Sequence, residues 1–95
     1  MRSEEEPRSD KGHVRTLVGT TFDRIKGDVS KDVLVMFESN GCNLCEIFLE
    51  ESMEPVAKRF SRTRGLVFAR INMNKNEVKG LSVDYYPTVM FYSTK

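Results

Sequence analysis

Two nearly continuous apolar runs, VLVMF at Val33 to Phe37 and LVFARI at Leu66 to Ile71, constrain the fold more than any other feature of this 95-residue chain. A strand with one wet face alternates apolar and polar side chains, so runs of this kind belong to strands covered on both faces. Between them the period is that of a helix. Cys45, Leu49, Met53, Val56 and Phe60 recur at three- and four-residue steps, with Glu46, Glu50, Glu54 and Lys58 elsewhere on the cylinder. Strand, helix and strand in this order make a right-handed βαβ unit with parallel strands. Pro55 falls inside the helical pattern and cannot donate to the carbonyl of Glu51, so a kink or break is expected between Ser52 and Pro55.

The flanking segments are shorter. Residues 1–12, MRSEEEPRSDKG, are charged, bear Pro7 and Gly12 and lack periodic apolar positions, so a disordered leader or linker is expected there. The folded domain is expected over residues 13–95. Val14 to Val18 reads as a strand, and Thr20 and Asp23 have the spacing of a capping box that opens a short helix to about Lys26. Gly65 suits the end of the long helix. Asn74 and Glu77 offer the cap and third position of another short helix, with Val78 and Leu81 inward. Thr88 to Tyr92 closes the chain as a strand led by Pro87, and X-Pro bonds are where cis peptides occur. The class is α/β.

Charge and hydropathy exclude several roles. Lys and Arg total 15 against 14 Asp and Glu, so no overall field draws in nucleic acid or an acidic membrane. The basic stretch KRFSRTR, Lys58 to Arg64, fits the solvated C-terminal end of a helix, whose dipole favours cations. No apolar run approaches the ~20 residues that span a bilayer. Residues 1–12 contain no apolar stretch of the kind a signal peptide needs, so none is expected there.

Both cysteines lie in ESNGCNLCEIF, Glu38 to Phe48, where a strand gives way to a helix. At a helix start, free amides and the positive end of the dipole stabilise an anion, so the outer thiol can ionise below the ~8.5 of a free cysteine. Three residues nearly complete one turn, which sets the inner sulfur beside the outer one, placed to resolve a mixed disulfide. A zinc site needs four ligands, and two cysteines with His13 leave only a metal shared between chains. Two buried cysteines with a purely structural role are the third reading.

With these segments in order, the chain resembles a thioredoxin-fold catalytic domain of the protein disulfide isomerase family. VRTLVGTTF is similar to the opening of such domains, DVLVMF to their central strand, CNLC to the redox motif, LVFARIN to the next strand, and NEVKGLSVDYYPTVMFY to the short helix and proline-led strand. The resemblance implies a thioredoxin-like mixed sheet flanked by helices. It also implies thiol–disulfide exchange on cysteine-containing or unfolded polypeptides, with no organic cofactor and no metal. Cys42 matches the attacking cysteine, Cys45 the resolving one and Pro87 the cis-proline beside them. Tyr86 is expected in the same groove, and Gly41, Asn43 and Leu44 border the cysteines on the client side. The family fold continues with a further strand and helix, so a piece of a larger multidomain protein of the endoplasmic reticulum lumen is expected.

The departures from the family pattern point to attenuated chemistry. Gly41, Asn43 and Leu44 replace the usual tryptophan, glycine and histidine, and the histidine is one source of thiolate stability. Glu38 and Glu46 place like charge near a thiolate and oppose it. A less stable thiolate makes a weaker oxidant. Met36 stands where the family carries the buried carboxylate that takes the inner cysteine's proton. Weak turnover is therefore expected, with a client-holding module of little catalysis as the alternative.

Overall fold

The structure, a computed structural model, describes residues 2–94; Met1 and Lys95, the outer ends of the expected leader and domain, lie outside the described residues. Four strands form one mixed sheet: β1 (Arg15–Leu17), β2 (Asp32–Glu38), β3 (Leu66–Asn72) and β4 (Thr88–Tyr92), in the spatial order β1-β3-β2-β4. β3 runs parallel to both β1 and β2, while β4 lies antiparallel along the other side of β2. The pairing sets Val35 beside Ala69 and Phe37 beside Ile71 on one side, and Met36 beside Val89 on the other.

The pleat of β2 divides the core. Val33, Val35 and Phe37 pack with Leu17, Ala69 and Ile71 against Phe22 and Ile25 of α1 (Gly19–Lys26). Leu34 and Met36 face the opposite side, with Cys45, Met53, Ala57 and Phe68. Burial on both faces is why the run in β2 does not alternate.

The long helix comprises α2 (Asn43–Phe48), a π-turn at Leu49–Met53 and α3 (Glu54–Arg59). The interruption expected near Pro55 is a widened turn just before it: the N–H of Glu54 donates to the carbonyl of Leu49. Pro55 then sits in the first turn of α3, where an absent N–H leaves no bond unmade. The wide turn shifts the buried stripe, so Ala57 is buried while Val56 and Phe60 are each 43% exposed.

Two local expectations are corrected. α1 begins with Val18 at its N-cap, and the Val18 N–H donates to Thr21 Oγ1 at 2.9 Å, so Thr21 rather than Asp23 closes the turn. The segment after β3 forms no helix. Asn74 Oδ1 accepts from the Asn40 N–H at 2.6 Å, and the Glu77 N–H that a cap would serve donates to the Arg2 carbonyl at 2.8 Å. Gly80, at φ 77°, turns the chain through the left-handed region.

Residues 2–12 contain no helix or strand and meet the domain through polar contacts. Their anchor is Asn76, 1% exposed, whose Oδ1 accepts from the N–H groups of Glu4 (2.8 Å) and Gly19 (3.0 Å). Its Nδ2 donates to the Asn72 carbonyl (2.9 Å) and Glu4 Oε1 (2.8 Å). Further along, Glu54 Oε1 accepts from the N–H groups of His13 (2.7 Å) and Val14 (3.0 Å). Asn76→Ala strands the buried Gly19 N–H, and urea unfolding should show a loss of about 1–3 kcal/mol. A loss below about 0.5 kcal/mol, the range of ordinary surface substitutions, would mean that this node does not hold α1 to the loop.

Candidate active site

β2 ends at Glu38, and four residues, Ser39 to Cys42, carry the chain into α2. Asn40 is held by its N–H to Asn74 and by Asn72 Nδ2, which donates to Asn40 Oδ1 at 2.9 Å. Gly41 follows at φ 69°, a conformation that strains any residue with a side chain, although no atom lies within 4 Å of where a Cβ would stand. The constraint there is on the backbone, not on space. Cys42 is the N-cap of α2, and its Sγ accepts from the Cys45 N–H at 3.0 Å. A sulfur thus satisfies one of the amides a helix start leaves free.

Cys42 and Cys45 are joined by a disulfide, with Cα atoms 5.2 Å apart. Cys42 is half-buried; Cys45 is 1% exposed, in the apolar layer with Met36, Met53 and Ala57. One sulfur is open to a partner and the other is shielded. Met36 is fully buried and offers no group that takes up a proton.

The electrostatics oppose the helix start. Glu46 lies in the first turn of α2, and Glu38 stands at the end of β2 with its side chain only 17% exposed. Burial pushes the Glu38 carboxyl up; the Arg70 guanidinium, 3.9 Å away, pulls it back, and Glu46 and Glu4 push it up further. A carboxyl raised in the folded state stabilises the fold while protonated, and that contribution is lost as pH rises through the raised value. Glu38→Gln, which cannot ionise, should therefore gain stability relative to wild type between pH 4 and pH 7, measured by urea unfolding. A difference that stays constant with pH would rule out burial of this carboxyl as a cost.

Leu44 and Pro87 line one open cleft of about 470 Å³. Leu44 is 66% exposed, and the Tyr86–Pro87 peptide is cis. Asn43 is exposed at the start of α2. Tyr86 is not in that cleft: it packs against both halves of the core and lines a separate cavity with Met73 and Leu81. The cleft also includes Ile47, Phe48, Glu51 and Ser52, which the sequence reading passed over. Their signal was the three- and four-residue spacing from Leu44 through Ile47 and Phe48 to Glu51, a second helix face beside the buried stripe.

A family model described as Thioredoxin matches residues 13–95. The chain is 36% identical over 93 residues to Protein disulfide-isomerase A4 of Homo sapiens, covering 96% of this chain and 14% of that protein. It is 36% identical over 94 residues to Protein disulfide isomerase-like 1-5 of Arabidopsis thaliana, covering 98% of this chain and 17% of that one. It thus spans 14% and 17% of the length of these two curated relatives. Among solved structures, the first thioredoxin domain of mouse Protein disulfide-isomerase A4 superposes with a TM-score of 0.69 at 22% identity, covering 93% of this chain and 64% of that one. Human ERp44 in its zinc-bound form gives 0.65 at 20% identity, covering 85% of this chain and 24% of that one. At these identities the two superpositions speak for the fold.

Proposed function

The chain belongs to the thioredoxin family, and from that premise we propose that it carries out thiol–disulfide exchange on cysteine-containing polypeptides, with Cys42 attacking and Cys45 resolving. The observation that carries this reading is the asymmetry of the pair. Cys42 is accessible and accepts an N–H at a helix N-cap, while Cys45 is buried against it.

In the reducing direction the Cys42 thiolate attacks one sulfur of a client disulfide. The Cys42–client bond forms, the client S–S bond breaks, and the expelled client thiolate takes a proton from solvent. The Cys45 thiolate then attacks Cys42 Sγ, closing the internal disulfide and releasing the second client sulfur. Two electrons pass from the protein to the client. The reverse sequence oxidises a client dithiol.

Leu44 and Pro87 are assigned to hold the client from the two sides of the cleft, Gly41 and Asn43 to border the attacking sulfur, and Tyr86 to fix Pro87 from the core side. No metal or organic cofactor enters the scheme. The coverage of the relatives supports a place within a larger protein, and the disulfide isomerase names support the endoplasmic reticulum lumen, where client disulfides are made.

Turnover is proposed to be weak. Cys45 must lose its proton to attack, and the side chain beneath it is the thioether of Met36. This favours a second reading, a module that holds thiol clients with little release. Insulin reduction separates the two. On the exchange reading Cys42→Ser abolishes the activity of the wild type; equal slowness of both proteins, with both binding unfolded polypeptide, establishes the holding module. Met36→Glu should speed decay of a Cys42–peptide mixed disulfide by about a hundredfold, the lower range for general base catalysis. An unchanged decay rate would show that proton removal from Cys45 does not limit release.

A further inference from the structure

We infer that Glu38 takes the proton of Cys45 when the internal disulfide closes, an inference that rests on the exchange reading above. Cys45 is 1% exposed, so its thiol cannot hand a proton directly to bulk water, and Met36 in the same apolar layer accepts none. Side chains alternate along β2, which puts Glu38 on the face of Leu34 and Met36, the face that packs with Cys45. Two strand residues rise about 7 Å, so Glu38 follows Met36 at the end of the strand that leads to the cysteines. There the Cys42 N–H donates to the Ser39 carbonyl at 3.4 Å, a turn that folds Cys42 back to within about 7 Å of the residue after Glu38. At such separations a base works through one intervening water.

The surroundings of Glu38 suit this task. Its carbonyl accepts from the Met73 N–H at 2.8 Å, which holds the backbone of the strand's last residue. The side chain is 17% exposed, shielded but still in touch with water. Arg70 of β3 stands 3.9 Å away, beyond hydrogen-bond range, and among the described residues no other group donates to this carboxylate, so its oxygens are open to a proton. Burial, with Glu46 of α2 and Glu4 as like-charged neighbours, raises its affinity for that proton against the pull of Arg70. A base is most effective as its pKa approaches the working pH, and the shift runs in that direction. From the Cys42–client mixed disulfide, ionised Glu38 takes the Cys45 proton and the Cys45 thiolate attacks Cys42 Sγ. The Cys42–Cys45 bond forms, the Cys42–client bond breaks, and the client thiolate leaves, taking a proton from Glu38 or solvent. The negative charge passes from carboxylate to sulfur, so the transfer adds no second anion to the site.

The test follows decay of a Cys42–peptide mixed disulfide across pH in the wild type, Glu38→Gln and Met36→Glu/Glu38→Gln. Glu38→Gln should slow decay at pH 7 about tenfold, less than the effect of a base in direct contact. A purely electrostatic role predicts the opposite sign, because removing a negative charge favours a thiolate and speeds decay. The wild-type rate should rise with pH through the raised carboxyl value and then level off, whereas that of Glu38→Gln should keep rising toward the thiol range. Adding Met36→Glu, which puts a carboxylate next to Cys45, should restore the rate lost in Glu38→Gln. Decay of Glu38→Gln as fast as the wild type or faster, or a slowing that Met36→Glu does not restore, overturns the role of Glu38 while leaving exchange standing. Failure of wild-type Cys42 to form a mixed disulfide overturns the exchange reading and this inference with it.

Discussion

Every other element takes its position from β2, because β2 is covered on both faces and hydrogen-bonded on both edges. Val33, Val35 and Phe37 fix α1, Met36 fixes the long helix, and the partners on either side are β3 and β4. Val33, Val35, Met36 and Phe37 are each 0–1% exposed. Fully burying side chains of this kind is worth about 1.5–3 kcal/mol apiece. The strand ends where the loop must turn into α2, so the same burial that holds the sheet also delivers Cys42 to a helix start. Fold and site share one mechanical cause.

At that site two electrostatic effects compete over the same sulfur. The free amides of the helix, the Cys45 N–H among them, favour a charged Cys42. Glu46 in the same turn and the half-buried Glu38 oppose it. No histidine lies between the cysteines to tip the balance, and Met36 supplies no base below. On the proposed exchange reading, backbone geometry supports the thiolate and the side chains around it weaken it.

How much of this could be read in the sequence depended on how local each cause was. β2 and β3 were legible because two-sided burial leaves its mark on consecutive residues, and the cysteine spacing fixed both sulfurs to one helical turn. The π-turn was not, since a missing Pro55 donor is met equally well by a kink, a break or a wide turn. Loop 73–80 was misread because Asn74 spends its side chain on Asn40, 34 residues away, a partner no local pattern shows. The contacts of residues 2–12 are of the same kind, resting on Asn76 across 72 residues. Tyr86 was placed in the groove by its neighbour Pro87, whereas its ring turns to the core. The cleft residues Ile47 and Glu51 are legible only as a second helix face beside the buried stripe, in plain helical spacing.

On the proposed function, Cys42 and Cys45 form a redox couple whose thiolate is supported by the helix start and little else. Equilibrating the protein with glutathione buffers and measuring the fraction of closed Cys42–Cys45 disulfide tests it most directly. A reversible two-electron couple is expected at the reducing end of the family range, near the −270 mV of thioredoxin. A potential near the −180 mV of protein disulfide isomerase would contradict the weak-thiolate account, and no reversible couple at all would contradict the redox role itself.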